Sequence, residues 1–168
     1  MLQESGKARA FFMITPWVYP IFLVVLFSLS LIFIPRKDYK EYLIYGFLLG
    51  GLGEMVVVAL YQNVFHLIWF KNQGIFNVVG QNFLSPPCWT FTVMLFLYFL
   101  PRKGVAHYLY MLTFAAYSVG YGLMVHNAGL FDFKPGFYPF FSYLTFLGWW
   151  ATVTVVFMKT SRLAKNDS

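Results

Sequence analysis

The sequence predicts an all-α fold: a transmembrane helical bundle of about five spanning helices, built as two parallel hairpin repeats plus one helix. The 168 residues are 60% hydrophobic and only 11% charged, whereas soluble domains carry about 25% charged residues. Several uncharged stretches reach about 20 residues, the length that a helix needs to cross a bilayer. The expected organisation is a single integral membrane domain over residues 1–168.

The five predicted spans are bounded by charged or turn-forming residues. The first and third end at the basic turns that follow Pro35 and Pro101, and the second contains one acid, Glu54. No sheet is expected, because open strand edges cannot be satisfied in lipid. The predicted spans cover residues 11–34, 42–61, 84–100, 106–125 and 138–158.

The distribution of basic residues predicts the orientation. Connections on alternate sides of the five spans carry four and eight lysines and arginines. Because cytoplasmic connections are enriched in Lys and Arg, the sequence predicts an outside N-terminus and a cytoplasmic C-terminus in the cell membrane. The smaller set is Lys7, Arg9, Lys71 and Lys134; the larger is Arg36, Lys37, Lys40, Arg102, Lys103, Lys159, Arg162 and Lys165.

An internal similarity links the first and third spans. The segment Phe33–Lys37 recurs as Phe99–Lys103, an offset of 66 residues, and the same offset relates Pro20 to Pro86. A repeat of two parallel hairpins explains the coincidence. Bacterial membrane helices that end in aromatic, proline and basic residues without shared origin explain it equally well.

Glu54 is the acid that the sequence places within the hydrocarbon. Insertion scales assign about 2.5–3.5 kcal/mol to comparable charged residues at a helix centre, so such a residue is by default a functional hypothesis. Gly46, Gly50 and Gly53 lie on the approach to it and favour close helix packing. Two interpretations stay open: a proton or solute site, and a hydrogen-bonded clamp between two helices.

The expected partner of Glu54 is the fourth span. Tyr117 and Tyr121 should bracket the carboxyl by about one turn, while Ser118 and Gly122 form a pair of small residues suited to packing. In the fifth span, Trp149 suits either helix packing or the wall of a ligand cavity. The candidate intramembrane polar site is therefore Glu54, Tyr117, Tyr121 and Trp149.

The outer connections hold a weaker polar cluster of His66, His126 and Asp132. Imidazole and carboxylate are sound metal ligands, but no histidine pair has metal-binding helical spacing. We therefore predict no metal, no cofactor and no catalytic residue. The net charge of +6 comes from basic clusters beside apolar runs, which is typical of membrane topology and speaks against a nucleic-acid partner.

As a whole, the pattern resembles an uncharacterised family of small multi-spanning integral membrane proteins from spore-forming Gram-positive bacteria. The resemblance rests on Glu54, the polar-aromatic connection from Gln62 to Asn82, the proline-containing third span, and the segment Leu130–Tyr138. It covers most of the chain with loose motifs. It implies a bacterial membrane location and a helix count, with no activity to transfer.

Three functions are compatible with these features. The favoured hypothesis is an accessory or regulatory subunit that binds another membrane protein or a second copy of the chain within the lipid bilayer. The alternative is a small transporter or solute-binding subunit with a carboxyl site at Glu54. A lipid-modifying membrane enzyme is the third.

Overall fold

The computed structural model describes residues 17–78 and 80–166, and these residues are mostly helical. Residues 11–16 of the first predicted span, together with Lys7 and Arg9, lie outside this range. The helices are α1 (Val18–Phe33), α2 (Arg36–Asn63), α3 (Ser85–Phe99), α4 (Val105–Asn127), α5 (Phe140–Thr160) and the short α6 (Arg162–Asn166). Within α2, residues Gly46–Leu52 form a π-helical segment.

Three helices, α2, α4 and α5, are long and apolar enough to span a membrane, which indicates a membrane location. The fourth predicted span lies within α4. The fifth lies within α5 except for its first two residues, which precede the helix. Helix α2 begins at Arg36, well before the predicted start at residue 42, since Pro35 at its N-cap allows the helix to begin within the basic turn. Helices α1 and α3 are shorter, at 16 and 15 residues.

The expectation of no sheet is wrong for the connections between helices. Strand β1 (Ile68–Phe70) pairs antiparallel with β4 (Phe131–Phe133), so the connections after α2 and α4 are joined. A second ribbon pairs β2 (Asn77–Val78) with β3 (Gln81–Asn82). The argument against open edges holds only in hydrocarbon, and these strands lie in connections, where water can satisfy an edge. We call this end of the bundle the ribbon end.

The opposite end collects the basic turns. A buried cluster there joins Ile34, Tyr42, Leu100 and Phe157, which come from the ends of four different helices or turns. The guanidinium of Arg102 lies 5.4 Å from the centre of the Phe157 ring. The turns after α1 and α3 and the end of α5 therefore meet at one end, which we call the basic end.

Helix α3 is the centre of the bundle. Val93, Met94, Phe96 and Leu97 are completely buried, and α1, α2 and α5 all pack against this helix. Helix α4 packs mainly along α5. A helix that is hydrophobic on every side suits such an enclosed position.

Glycines of α2 bring its backbone against α3. A Cβ atom placed on Gly50 would lie 2.4 Å from the carbonyl oxygen of Trp89, and one on Gly46 would lie 2.6 Å from that of Thr90. Gly51 is equally close to the Thr90 hydroxyl. Gly46 and Gly50 of the predicted glycine stripe thus lie in a helix interface with the third helix.

Replacing Gly50 by alanine tests this backbone contact. The added Cβ meets a carbonyl that cannot move independently of α3, so we expect Gly50→Ala to destabilise the protein by about 2 kcal/mol, as overpacking of a core does. Gly120→Ala is the matched control, because a Cβ atom placed on this glycine of α4 would meet nothing within 4 Å. Thermal unfolding in detergent should show a lowered midpoint for Gly50→Ala alone. Equal midpoints would show that the two backbones are not in contact.

Candidate functional site

A cavity of about 360 Å³ lies among the helices toward the ribbon end. All five long helices contribute to its wall, and Phe70, Phe131 and Phe133 of the β1–β4 ribbon cover it. Most of the lining is aromatic or aliphatic. Its polar side chains include Glu54 and Tyr61 from α2, Ser85 from α3, Tyr121 from α4, and Ser142, Thr145, Trp149 and Thr152 from α5.

Glu54 provides the carboxyl group of the cavity wall. The residue is only 7% exposed, and its Oε1 accepts a hydrogen bond of 2.6 Å from the Ser85 hydroxyl. Its Oε2 is buried and has no hydrogen-bond partner among the described residues. No lysine, arginine or histidine of the described chain lines this cavity. The carboxyl group therefore has one donor and no opposite charge beside it.

Two further polar atoms of the cavity residues lack partners. The hydroxyl of Tyr121 and the indole Nε1 of Trp149 are both buried without a hydrogen bond within the described chain. Buried polar groups are nearly always satisfied, and each exception costs about 1–3 kcal/mol. Three such atoms therefore belong to residues that line one cavity.

The structure corrects the expected surroundings of Glu54. Tyr117 is 69% exposed on the outside of the bundle and does not line the cavity. Tyr121 does line it, but its hydroxyl makes no bond to Glu54, and its ring stacks on Phe22 with centroids 4.5 Å apart. The reason is that α4 packs along α5, leaving the third helix to supply the donor to Glu54.

The two adjacent tryptophans of α5 have different surroundings. Trp150 is completely buried, and its Nε1 donates a hydrogen bond of 3.0 Å to the Ser118 hydroxyl, so Ser118 joins α4 to α5. Trp149 lines the cavity. A Cβ on Gly53 would lie 2.3 Å from the Trp149 ring, so this glycine makes room for the indole. Gly122 lies beside the Phe133 ring in the cavity wall.

The outer polar cluster is only partly assembled. Asp132 forms a hydrogen-bonded ion pair with Lys71, and His126 Nδ1 lies 3.7 Å from the Asp132 carboxylate. The hydrogen bond from Lys71 lowers the pKa of Asp132, so the pair persists at neutral pH and is lost as the pH falls through that lowered value. His66 instead contacts the Gln62 carbonyl. No three potential ligands group around a metal position in the described residues.

Two buried amides of the polar-aromatic connection, to which the sequence assigned no individual role, fix the cover of the cavity. The amide nitrogen of Gln73 donates hydrogen bonds to the carbonyls of Lys71 and Leu130, and its oxygen accepts one from Asn82. Asn82 in turn accepts a hydrogen bond from the backbone N–H of Leu84, at the start of α3. The connections after α2 and α4 are thereby held together over the cavity.

Comparisons of the chain with protein-family models, with curated proteins and with solved structures find no match.

The Ser85 hydroxyl gives a direct test of the buried carboxyl. Ser85→Ala removes the donor to Glu54 and leaves both carboxyl oxygens unsatisfied, so we expect a loss of about 1–3 kcal/mol in the free energy of unfolding. Thr92→Ala is the control on the same helix, because the Thr92 hydroxyl bonds to the Cys88 carbonyl of that helix. Its loss should lower the free energy of unfolding by less. Unfolding in detergent measures both variants. Equal losses would argue against a special role for the Ser85–Glu54 bond.

Proposed function

We propose that the protein is a multi-pass protein of the cell membrane that binds a small, largely apolar solute in the cavity beside Glu54, as a transporter or solute-binding subunit. The observation that carries this proposal is the buried carboxyl group of Glu54, whose Oε2 has no hydrogen-bond partner in the described chain, in the wall of a largely apolar cavity. A volume of about 360 Å³ lies within the usual range of ligand sites.

Five crossings are part of the proposal. At about 1.5 Å per residue, the 16 residues of α1 and the 15 of α3 extend about 24 and 22 Å. Ile34–Pro35 can extend the apolar length of α1, and Leu84 that of α3. Because α3 is enclosed by the other helices, it is less exposed to lipid along its length. The grouping of the basic turns at one end supports an outside N-terminus and a cytoplasmic basic end.

A common design of the α1–α2 and α3–α4 hairpins also remains a proposal. Pro20 and Pro86 both lie in the first turn of their helices. Phe33 and Phe99, which the offset relates, contact each other with ring centroids 5.1 Å apart. Both observations support a repeat with parallel first helices.

The packing of the glycines favours solute binding over the role of accessory subunit. Gly46 and Gly50 are covered by α3, and Gly53 by Trp149. The stripe expected to bind another membrane protein is therefore used within the chain. No histidine lines the described wall beside Ser85 to activate its hydroxyl as a nucleophile for lipid modification.

Chemical labelling of Glu54 tests whether a solute can reach the carboxyl group. A hydrophobic carbodiimide reacts with protonated carboxyl groups in apolar surroundings, so we expect labelling at Glu54, falling as the pH rises across about 5 to 9. Peptide mass spectrometry locates the modified residue. Gly148 lines the cavity at its exposed edge, and a Cβ atom placed on it would meet nothing within 4 Å, so Gly148→Leu should obstruct access to the cavity and reduce labelling.

The matched control is Gly120→Leu, since Gly120 has the same open surroundings but does not line the cavity. Labelling in this variant should equal that of the unmodified protein. If Glu54 stays unlabelled at every pH, the carboxyl is a structural clamp and the binding proposal is wrong.

A further inference from the structure

The charge of the cavity restricts the class of molecule that it can hold. Among the described residues, Tyr19 of α1, Cys88 of α3 and Tyr121 of α4 are titratable and lie close enough to Glu54 to interact electrostatically, and none of them can carry a positive charge. From α5, the Trp149 ring packs against Gly53, the residue next to Glu54 in the chain. Within residues 17–78 and 80–166, no cationic side chain lines the wall. An ionised Glu54 therefore needs its counter-charge from the bound molecule, and an anionic solute would be repelled.

The walls are suited to a cation with an apolar body. Trp89 stacks on Phe146 with ring centroids 5.7 Å apart, and both line the cavity together with Trp149. The faces of aromatic rings attract cations as well as burying apolar surface, and indole does so most strongly. A carboxylate among aromatic rings is thus complementary to an organic cation in both charge and shape.

The cavity also reaches the outer surface of the bundle between α2 and α5. The wall residues there include Leu144, which is 46% exposed, and Gly148, where an added Cβ would meet nothing within 4 Å. The two helices are bridged at this level by a hydrogen bond of 3.1 Å between the Tyr61 and Thr145 hydroxyls. In a membrane protein this surface faces lipid, so a molecule that partitions into the bilayer can reach Glu54 from the side.

Resting on the proposed solute-binding function, we propose that the ligand is an amphiphilic organic cation, a quaternary onium ion or a protonated amine with an apolar body. Glu54 supplies the opposite charge, and the aromatic walls hold the apolar body. Molecules of this class partition into membranes while keeping their positive charge, so they can enter from the lipid and still pair with the carboxylate.

Three probes of nearly the same size separate charge from shape: tetraphenylphosphonium, tetraphenylborate and neutral tetraphenylsilane. Binding is measured on the full-length protein in lipid nanodiscs by equilibrium dialysis, with empty nanodiscs subtracted. We expect the phosphonium to bind, the borate not to bind, and the neutral probe to bind at least about tenfold more weakly than the phosphonium, because it lacks the electrostatic attraction to the carboxylate.

Glu54→Gln keeps the shape and the acceptor for Ser85, and it should weaken phosphonium binding by at least about tenfold. Glu41→Gln is the matched control, because Glu41 lies at the basic end, where its carboxylate accepts hydrogen bonds from Ser161 and Arg162. If Glu54→Gln does not fold, Gly148→Leu against Gly120→Leu tests whether the phosphonium binds in the cavity, and the three probes alone test the effect of charge.

The outcomes separate the two proposals. Equal binding of the phosphonium and the neutral probe, unchanged in Glu54→Gln, would overturn the cation class while leaving solute binding intact. Stronger binding of the borate would likewise overturn it. If none of the three probes binds, both the cation class and the solute-binding function are contradicted.

Discussion

The arrangement of the bundle depends on the backbone contact between the π-helical segment of α2 and the centre of α3. Gly46, Gly50 and Gly51 face α3 so closely that a single methyl group at these positions would meet backbone or side-chain atoms of Trp89 and Thr90 at 2.4–2.6 Å, or the side chain of Met94. The π-helical turn changes the phase of the residues that follow it, and such turns often occur at functional sites. Glu54, one turn beyond Gly50, thereby reaches Ser85.

The contact between α2 and α3 both packs the two helices together and positions the carboxyl group of Glu54 beside the cavity. One oxygen of Glu54 is satisfied by the third helix, which ties α2 to α3, while the other oxygen has no partner in the described chain. A carboxyl group buried beside a cavity is costly in a low-dielectric environment unless it is paired or neutral. The clamp and the binding site, which the sequence left as alternatives, are therefore compatible: each uses a different oxygen of one side chain.

The sequence predicted the helices well because charged turns and prolines mark where apolar runs end, as at Pro35 and Pro101. It also pointed to Glu54 and the glycines, since both are unusual within an apolar helix. It could not identify the helix that packs against them, because a glycine indicates a close helix contact but not which helix makes it. Ser85 carries no distinguishing local pattern, and the pairing of Ile68–Phe70 with Phe131–Phe133 depends on contacts far apart in the chain.

Cross-linking in the membrane tests the central claim, that Glu54 lies against the third helix. With Cys88 replaced by alanine, the double variant Glu54→Cys/Ser85→Cys should form an intramolecular bond on treatment with an oxidant or a short thiol cross-linker, because the native side chains are within hydrogen-bond distance. Glu54→Cys/Tyr117→Cys should not, since Tyr117 faces outward. Cross-linking of the Tyr117 pair in place of the Ser85 pair would contradict the account.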